Sequence, residues 1–136
     1  MSALAVSSIS ARAVATGGVA PLLRLEGLAV LAAAVAAYAF IGGSWLMFAL
    51  LLLAPDLAMI GYRFGNVVGA AAYNAVHTYL GPAALGAAGL ALGAPTMQAA
   101  ALIWIAHIGL DRALGYGLKY ATGFGDTHLG RIGRNA

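Results

Sequence analysis

A chain of 136 residues that is 62% hydrophobic and 8% charged, with a mean hydropathy of +0.91, lacks the polar surface of a soluble fold, in which about a quarter of residues carry charge. Seven basic against four acidic residues give a net charge of +3, without a polybasic run or a basic–aromatic patch, which excludes nucleic acid as a partner. The absence of cysteine excludes disulfides, thiolate metal sites and cysteine nucleophiles, and the whole composition implies one integral membrane domain with the lipid bilayer as its solvent.

Residues 1–20, "MSALAVSSISARAVATGGVA", are small and Ser/Ala-rich. Arg12 follows a serine-interrupted stretch instead of preceding a continuous apolar core, so the segment reads as a flexible or interfacial tail rather than a cleaved signal. Residues 21–120 then form the expected transmembrane domain. Four apolar segments, near 21–41, 45–62, 67–92 and 97–118, are joined by "GGS", "RFGN" and "GAPT". Each approaches the ~20 residues that cross a ~30 Å hydrocarbon core, and connections this short allow only antiparallel neighbours. The fold class is an all-α membrane protein: a four-transmembrane-helix up-down-up-down bundle with short loops. Its third helix is expected to be interrupted at Gly81-Pro82, and glycine and alanine are expected to let the helices approach closely. Residues 121–136 form a glycine-rich cytoplasmic tail whose "GFGDTHLG" lacks the ending of a phosphate-binding loop.

Charge sets the orientation. Arg12, Arg24, Arg63, Lys119, Arg131 and Arg134 fall on the side of both termini, and the two opposite loops carry no Lys or Arg. The positive-inside rule places both termini in the cytoplasm.

Ionisable side chains at membrane depth are expensive and point to function. Counted at about 1.5 Å per residue from the outer turns, Glu26 and His77 fall ~22 Å deep, Asp111 ~21 Å, Asp56 ~18 Å and His107 ~15 Å. One slab, from the midplane to the cytoplasmic leaflet, thus collects ionisable groups from every helix. His107 and Asp111 share a helix face at i, i+4, as do Tyr73 and His77, with Asn74 three residues before His77. Pro55 and Gly61 are expected to loosen the helix around Asp56.

The set suits a metal-dependent membrane hydrolase. His77, His107 and Asp111 are the metal ligands for a divalent ion such as zinc or iron, and Asp56 is a fourth ligand or general base. Glu26 is a further candidate catalytic carboxylate. Arg112 and Lys119 are expected to snorkel towards the cytoplasm and to offer a site for a lipid phosphate or other anion. The C-terminal segment can fold over the slab as a cap that brings Asp126 and His128 to its mouth, and Asn74 is a further candidate contact to substrate, anion or tail. Three other functions use the same residues: a haem- or chlorophyll-type macrocycle held by His77 and His107; a proton-coupled transporter with Glu26, Asp56, His77, His107 and Asp111 as relay; and a non-catalytic subunit of a homo-oligomer or larger membrane complex. In the plainest case Asp56 simply pairs with Arg63 or Arg112.

The stretches "YNAVHTYLGP", "HIGLDRALGYGLKY" and "FGDTHLGRIG" resemble a family of small bacterial integral membrane proteins designated domain of unknown function 4260. The resemblance covers about residues 21–133. It implies a compact four-helix protein of the bacterial inner membrane and no particular reaction. It singles out His77, Asp111, Arg112, Tyr116, Lys119, Thr127 and His128 as motif positions.

Overall fold

The computed structural model describes residues 14–15 and 17–132. Most of the expected N-terminal tail, with Arg12, and the end of the chain, with Arg134, lie outside the described residues. The described chain is mostly helical: α1 (Val19–Phe40), α2 (Trp45–Leu51), a 3-10 helix η1 (Ala54–Phe64), α3 (Asn66–His77), α4 (Leu80–Ala91) and α5 (Pro95–Leu114) precede a small antiparallel hairpin, β1 (Asp126–Thr127) with β2 (Gly130–Arg131).

Helices α1 and α5 are continuous and pack along each other in opposite directions. They meet at two glycines. A Cβ on Gly27 would stand 2.5 Å from the Arg112 Cβ, and one on Gly109 would stand 2.8 Å from the Leu31 nitrogen. Only bare backbone allows this approach, as small residues do where helices associate without a hydrophobic drive between them. Towards the other end Tyr38 packs with Ala99 and Ile103. Its hydroxyl donates to the Ser44 carbonyl at 2.6 Å, and the Ser44 hydroxyl caps α2 by accepting from the Met47 N–H at 3.3 Å.

The remaining two limbs are broken, each four residues before a proline. Proline lacks the N–H of a helical hydrogen bond, and its ring collides with the carbonyl four residues back. Helix α2 ends at Leu51, four before Pro55, and the chain resumes as η1. Helix α3 ends at His77, and Thr78, four before Pro82, is extended at φ −94° and ψ 156°. Helix α4 then starts with Pro82 in its first turn, where a missing N–H has no helical partner to lose. The interruption expected at Gly81-Pro82 therefore falls earlier, at Thr78. Limb η1 packs on α3, and α4 packs on α5 with Trp104 seated over Gly81.

The expected end of the last helix at 118 is corrected too. Gly115 turns left-handed (φ 93°, ψ 11°) and the Tyr116 N–H returns to the Asp111 carbonyl at 2.7 Å, closing α5 at Leu114. Beyond Gly115 the chain forms a folded cap that ends in the hairpin.

Large apolar side chains lie exposed while several ionisable ones are buried. Leu80 is 79% and Phe64 75% exposed, whereas His77 is 0% and His107 1% exposed. Among the described residues, two stretches, Val19–Phe40 and Trp45–Phe64, are long and apolar enough to cross a membrane. Helix α5 is long enough but less apolar, and α3 and α4 are 12 residues each, so two of the four expected spans meet that standard.

Candidate metal centre

Both breaks open onto one face of α5. That face carries Trp104, His107 and Asp111, spaced by three and four residues, and Arg112 next to Asp111 flanks it on the side towards α1. Breaking α3 at Thr78 deprives its last carbonyls of helical partners, and in an apolar setting each unpaired group costs several kcal/mol, of order 2–7. Residues of α5 supply the missing donors. Trp104 Nε1 donates to the Val76 carbonyl at 2.6 Å, and Arg112 Nη2 donates to the His77 carbonyl at 2.7 Å. Arg112 also donates through Nη1 to the Tyr116 carbonyl at 2.8 Å, tying the break to the cap.

Between the breaks, Asp56 of η1, His77 of α3, and His107 and Asp111 of α5 converge. His77 Nε2 lies 3.4 Å from Asp56 Oδ1 and 3.4 Å from Asp111 Oδ2. His107 Nε2 lies 3.3 and 3.4 Å from the same two oxygens, and the two Nε2 atoms are 3.1 Å apart. The histidines and Asp111 are buried, and the Asp56 side chain is 32% exposed.

The imidazoles are aimed. His77 Nδ1 lies 2.8 Å from the Tyr73 carbonyl. A carbonyl only accepts, so Nδ1 carries the proton and Nε2 turns a lone pair on the cluster. His107 Nδ1 faces the Leu52 carbonyl at the other break, short of full hydrogen-bond geometry. Backbone carbonyls behind the outer nitrogen are the usual supports of metal-ligating histidines. The Tyr73 ring stacks on His77, with centroids 3.6 Å apart and planes within 9°, and its hydroxyl donates to Asp111 Oδ2 at 3.1 Å.

These distances fit one small cation. Tetrahedral ligands at the ~2.0–2.2 Å of zinc–nitrogen and zinc–oxygen bonds stand about 1.6 bond lengths apart, roughly 3.3–3.6 Å. Five of the six donor pairs, every one that includes a histidine, stand at 3.1–3.4 Å, nearly that spacing, and all four donors lie within 4.8 Å of one another.

A cavity of about 300 Å³ adjoins the cluster and shares Asp56 and Asp111 with it. Tyr73, Tyr116 and Lys119 give it polar walls, and Met59, Phe124 and Ile132 give it apolar ones. The cap is held on by a two-way clasp: Asn74 Nδ2 donates to the Lys119 carbonyl at 2.8 Å, and the Lys119 N–H donates to Asn74 Oδ1 at 2.7 Å. Burial lowers the Lys119 ammonium below the ordinary lysine pKa, opposed by the negative charges of Asp111 and Asp56.

Several expectations are corrected. Arg112 and Lys119, expected to snorkel outward, are buried and turned inward; Lys119 Nζ donates to the Phe124 carbonyl at 2.7 Å. Asp56 faces the two histidines and makes no ion pair with Arg63 or Arg112 among the described residues. Glu26 stands apart: it is exposed on α1, within electrostatic reach of Tyr79. Phe124 and Ile132, rather than Asp126 and His128, border the cavity. Asp126 instead accepts from Arg131 Nε at 3.0 Å and from the Thr122 hydroxyl at 2.7 Å, and His128 Nδ1 accepts from the Leu118 N–H at 2.9 Å. The supporting role of Trp104 is an addition; Thr127, one of the motif positions, is 1% exposed and closes the hairpin by donating to the Gly130 carbonyl at 2.6 Å. The spacing of Trp104, three residues before His107, is the one sequence signal that points to it.

Fold and site together define a small helical protein with two membrane-length apolar stretches and a His–Asp cluster able to hold a metal ion. The chain belongs to the family described as Domain of unknown function (DUF4260), whose model matches residues 20–132 and contains all four cluster residues. No curated protein and no solved structure matches it.

Proposed function

We propose that the chain is a metal-dependent hydrolase of the bacterial inner membrane, with both termini in the cytoplasm and one divalent ion held by His77, His107, Asp111 and Asp56. The observation that carries this is the convergence of four donors, all within 4.8 Å of one another, brought from three separate elements. The burial pattern supports the membrane setting: many large apolar side chains are exposed, while His77, His107, Asp111, Arg112 and Lys119 are buried. Zinc suits the two-nitrogen, two-oxygen set, and iron accepts the same donors. A macrocycle between the imidazoles would need two in-line metal–nitrogen bonds of ~2 Å each. The observed 3.1 Å gap favours a bare ion.

Asp56 is the most exposed donor and borders the cavity, so it is the ligand free to exchange for water. A divalent ion held there would supply Lewis acidity and lower the pKa of a water in the site to about 7. Asp56 would take the proton of that water as its oxygen bonds to the electrophilic centre of the substrate, and would return the proton to the leaving group as that bond breaks.

Elemental analysis of the purified protein tests the reading. One zinc or iron per chain is expected, removed by His77→Ala with the helix content retained. A preparation with no stoichiometric metal, whose fold and activity ignore chelator, would end it.

A further inference from the structure

We infer that the cavity beside the metal centre binds a phosphate group, free or as the head of a small ester, bridged between the ion and Lys119. The inference rests on the metal reading proposed for the cluster and extends it to a substrate class.

Lys119 is 5% exposed, and among the described residues no carboxylate lies within salt-bridge distance of it. Buried charges are ordinarily paired. This one is instead fixed in place: Nζ donates to the Phe124 carbonyl at 2.7 Å, lies 3.7 Å from the Phe124 ring centroid, and lies 4.8 Å from that of Tyr73. The asparagine clasp on its backbone holds the other end. An ammonium so anchored, with further N–H groups beyond the one given to Phe124, borders the same cavity as Asp56 and Asp111.

Charge counting then selects the ligand. A divalent ion is balanced by Asp56 and Asp111, and the imidazoles are neutral ligands. Lys119 leaves the cavity one positive charge in excess. An anion meets that excess, and one with oxygens on several faces can reach an ion and an ammonium that stand on different walls. The apolar walls, Met59, Phe124 and Ile132, suit the organic part of an ester. At about 300 Å³ the space is at the small end of ligand cavities, enough for a phosphate and a few carbons.

The test uses the full chain in detergent, loaded with Co²⁺ so that the ion's visible spectrum reports its surroundings. Inorganic phosphate is expected to shift the spectrum saturably. Lys119→Met is expected to weaken phosphate at least about tenfold while Co²⁺ affinity stays within about twofold, and Lys119→Arg to recover part of the loss. If Lys119→Met does not fold, Lys119→Gln takes its place. Short-chain phosphatidic acid is titrated in parallel. Tighter binding than inorganic phosphate assigns a lipid headgroup, and equal or weaker binding assigns a soluble phosphate; either supports the inference. No shift with either ligand, or equal affinity in wild type and the Lys119 variants, overturns it while leaving the metal centre standing. Failure to bind Co²⁺ at all overturns the metal centre and this inference with it.

Discussion

The continuous helices and the broken limbs divide the work of the fold. Helices α1 and α5 meet backbone to backbone at Gly27 and Gly109, and their pairing depends on two side chains being absent. The limbs α2–η1 and α3–α4 are interrupted ahead of Pro55 and Pro82, and their breaks bring Asp56 and His77 to α5. Continuous helices satisfy their own backbone, so they can form a frame without help. A broken limb exposes carbonyls that another element must cover, so each break is tied to side chains across the interface. At Thr78 those side chains are Trp104 and Arg112 of α5, the helix that also carries two of the four residues of the candidate metal cluster. The break and the site are therefore one construction.

The largest effect is expected in the frame. Gly109→Leu drives a side chain into the Leu31 backbone, where nothing flexible can yield. Destabilisation of more than about 3 kcal/mol is expected, read as loss of monodisperse protein in detergent. Gly86→Ala is the matched control. Its Cβ would meet only the Ala101 Cβ at 3.4 Å, so the melting temperature should hold or rise. Equal damage from both would remove the special status of the Gly27–Gly109 contact.

Next come the donors. His77→Ala and Asp111→Ala should each lower metal affinity more than about a hundredfold, beyond the 10–100-fold typical of supporting residues. Glu26→Gln should leave it unchanged, because Glu26 lies outside the cluster. Metal competition titration reads all three. An equal loss with Glu26→Gln would place the site elsewhere.

That contrast also marks what is legible in the sequence. Depth comes from counting residues, so Asp56, His77, His107 and Asp111 can be assigned to one slab. Direction around the helix axis does not come from depth. Glu26 shares the slab's depth by count yet points away, because Gly27 beside it is the residue that faces α5. The breaks are legible as prolines, but their position needs the collision of each ring with the carbonyl four residues earlier, which moves the gap from Pro82 to Thr78. Arg112 departs from expectation for a related reason. A basic residue near the helix end normally snorkels, and only the uncovered His77 carbonyl gives it a reason to turn inward. The cap is least legible, since Asn74 and Lys119 are 45 residues apart and pair through the backbone of Lys119.

A smaller effect is expected from removing what covers a break. Arg112→Met keeps the bulk of the side chain and leaves the His77 carbonyl without its donor. A cost of about 1–3 kcal/mol and a 10–100-fold loss of metal affinity are expected, in a protein that still folds. Trp104→Phe, which uncovers the Val76 carbonyl, should weaken metal less, since Val76 is one residue further from the ligand backbone. If neither variant changes metal affinity, the breaks and the site are independent constructions.

The smallest effect concerns the cap and is set by pH. Burial, then the positive charge of Arg112, hold His128 below the ordinary histidine pKa. The folded cap therefore binds protons less readily than the unfolded one, and its stability rises with pH across that interval. The contribution is complete above the unfolded value of about 6.5 and is lost as pH falls below it towards the folded value. Protonation also removes the lone pair on Nδ1 that the Leu118 N–H uses at 2.9 Å. Leu118 precedes Lys119, so loosening should begin next to the asparagine clasp. The protection factor of the Leu118 amide should fall between pH 7 and pH 5, so that its exchange slows less than the intrinsic rate does, while amides in the middle of α1 keep theirs. His128→Gln, which cannot titrate, should flatten the difference. An equal loss of protection at both places would mean that acid acts on the frame, and that the cap is no more separable from it than the broken limbs are.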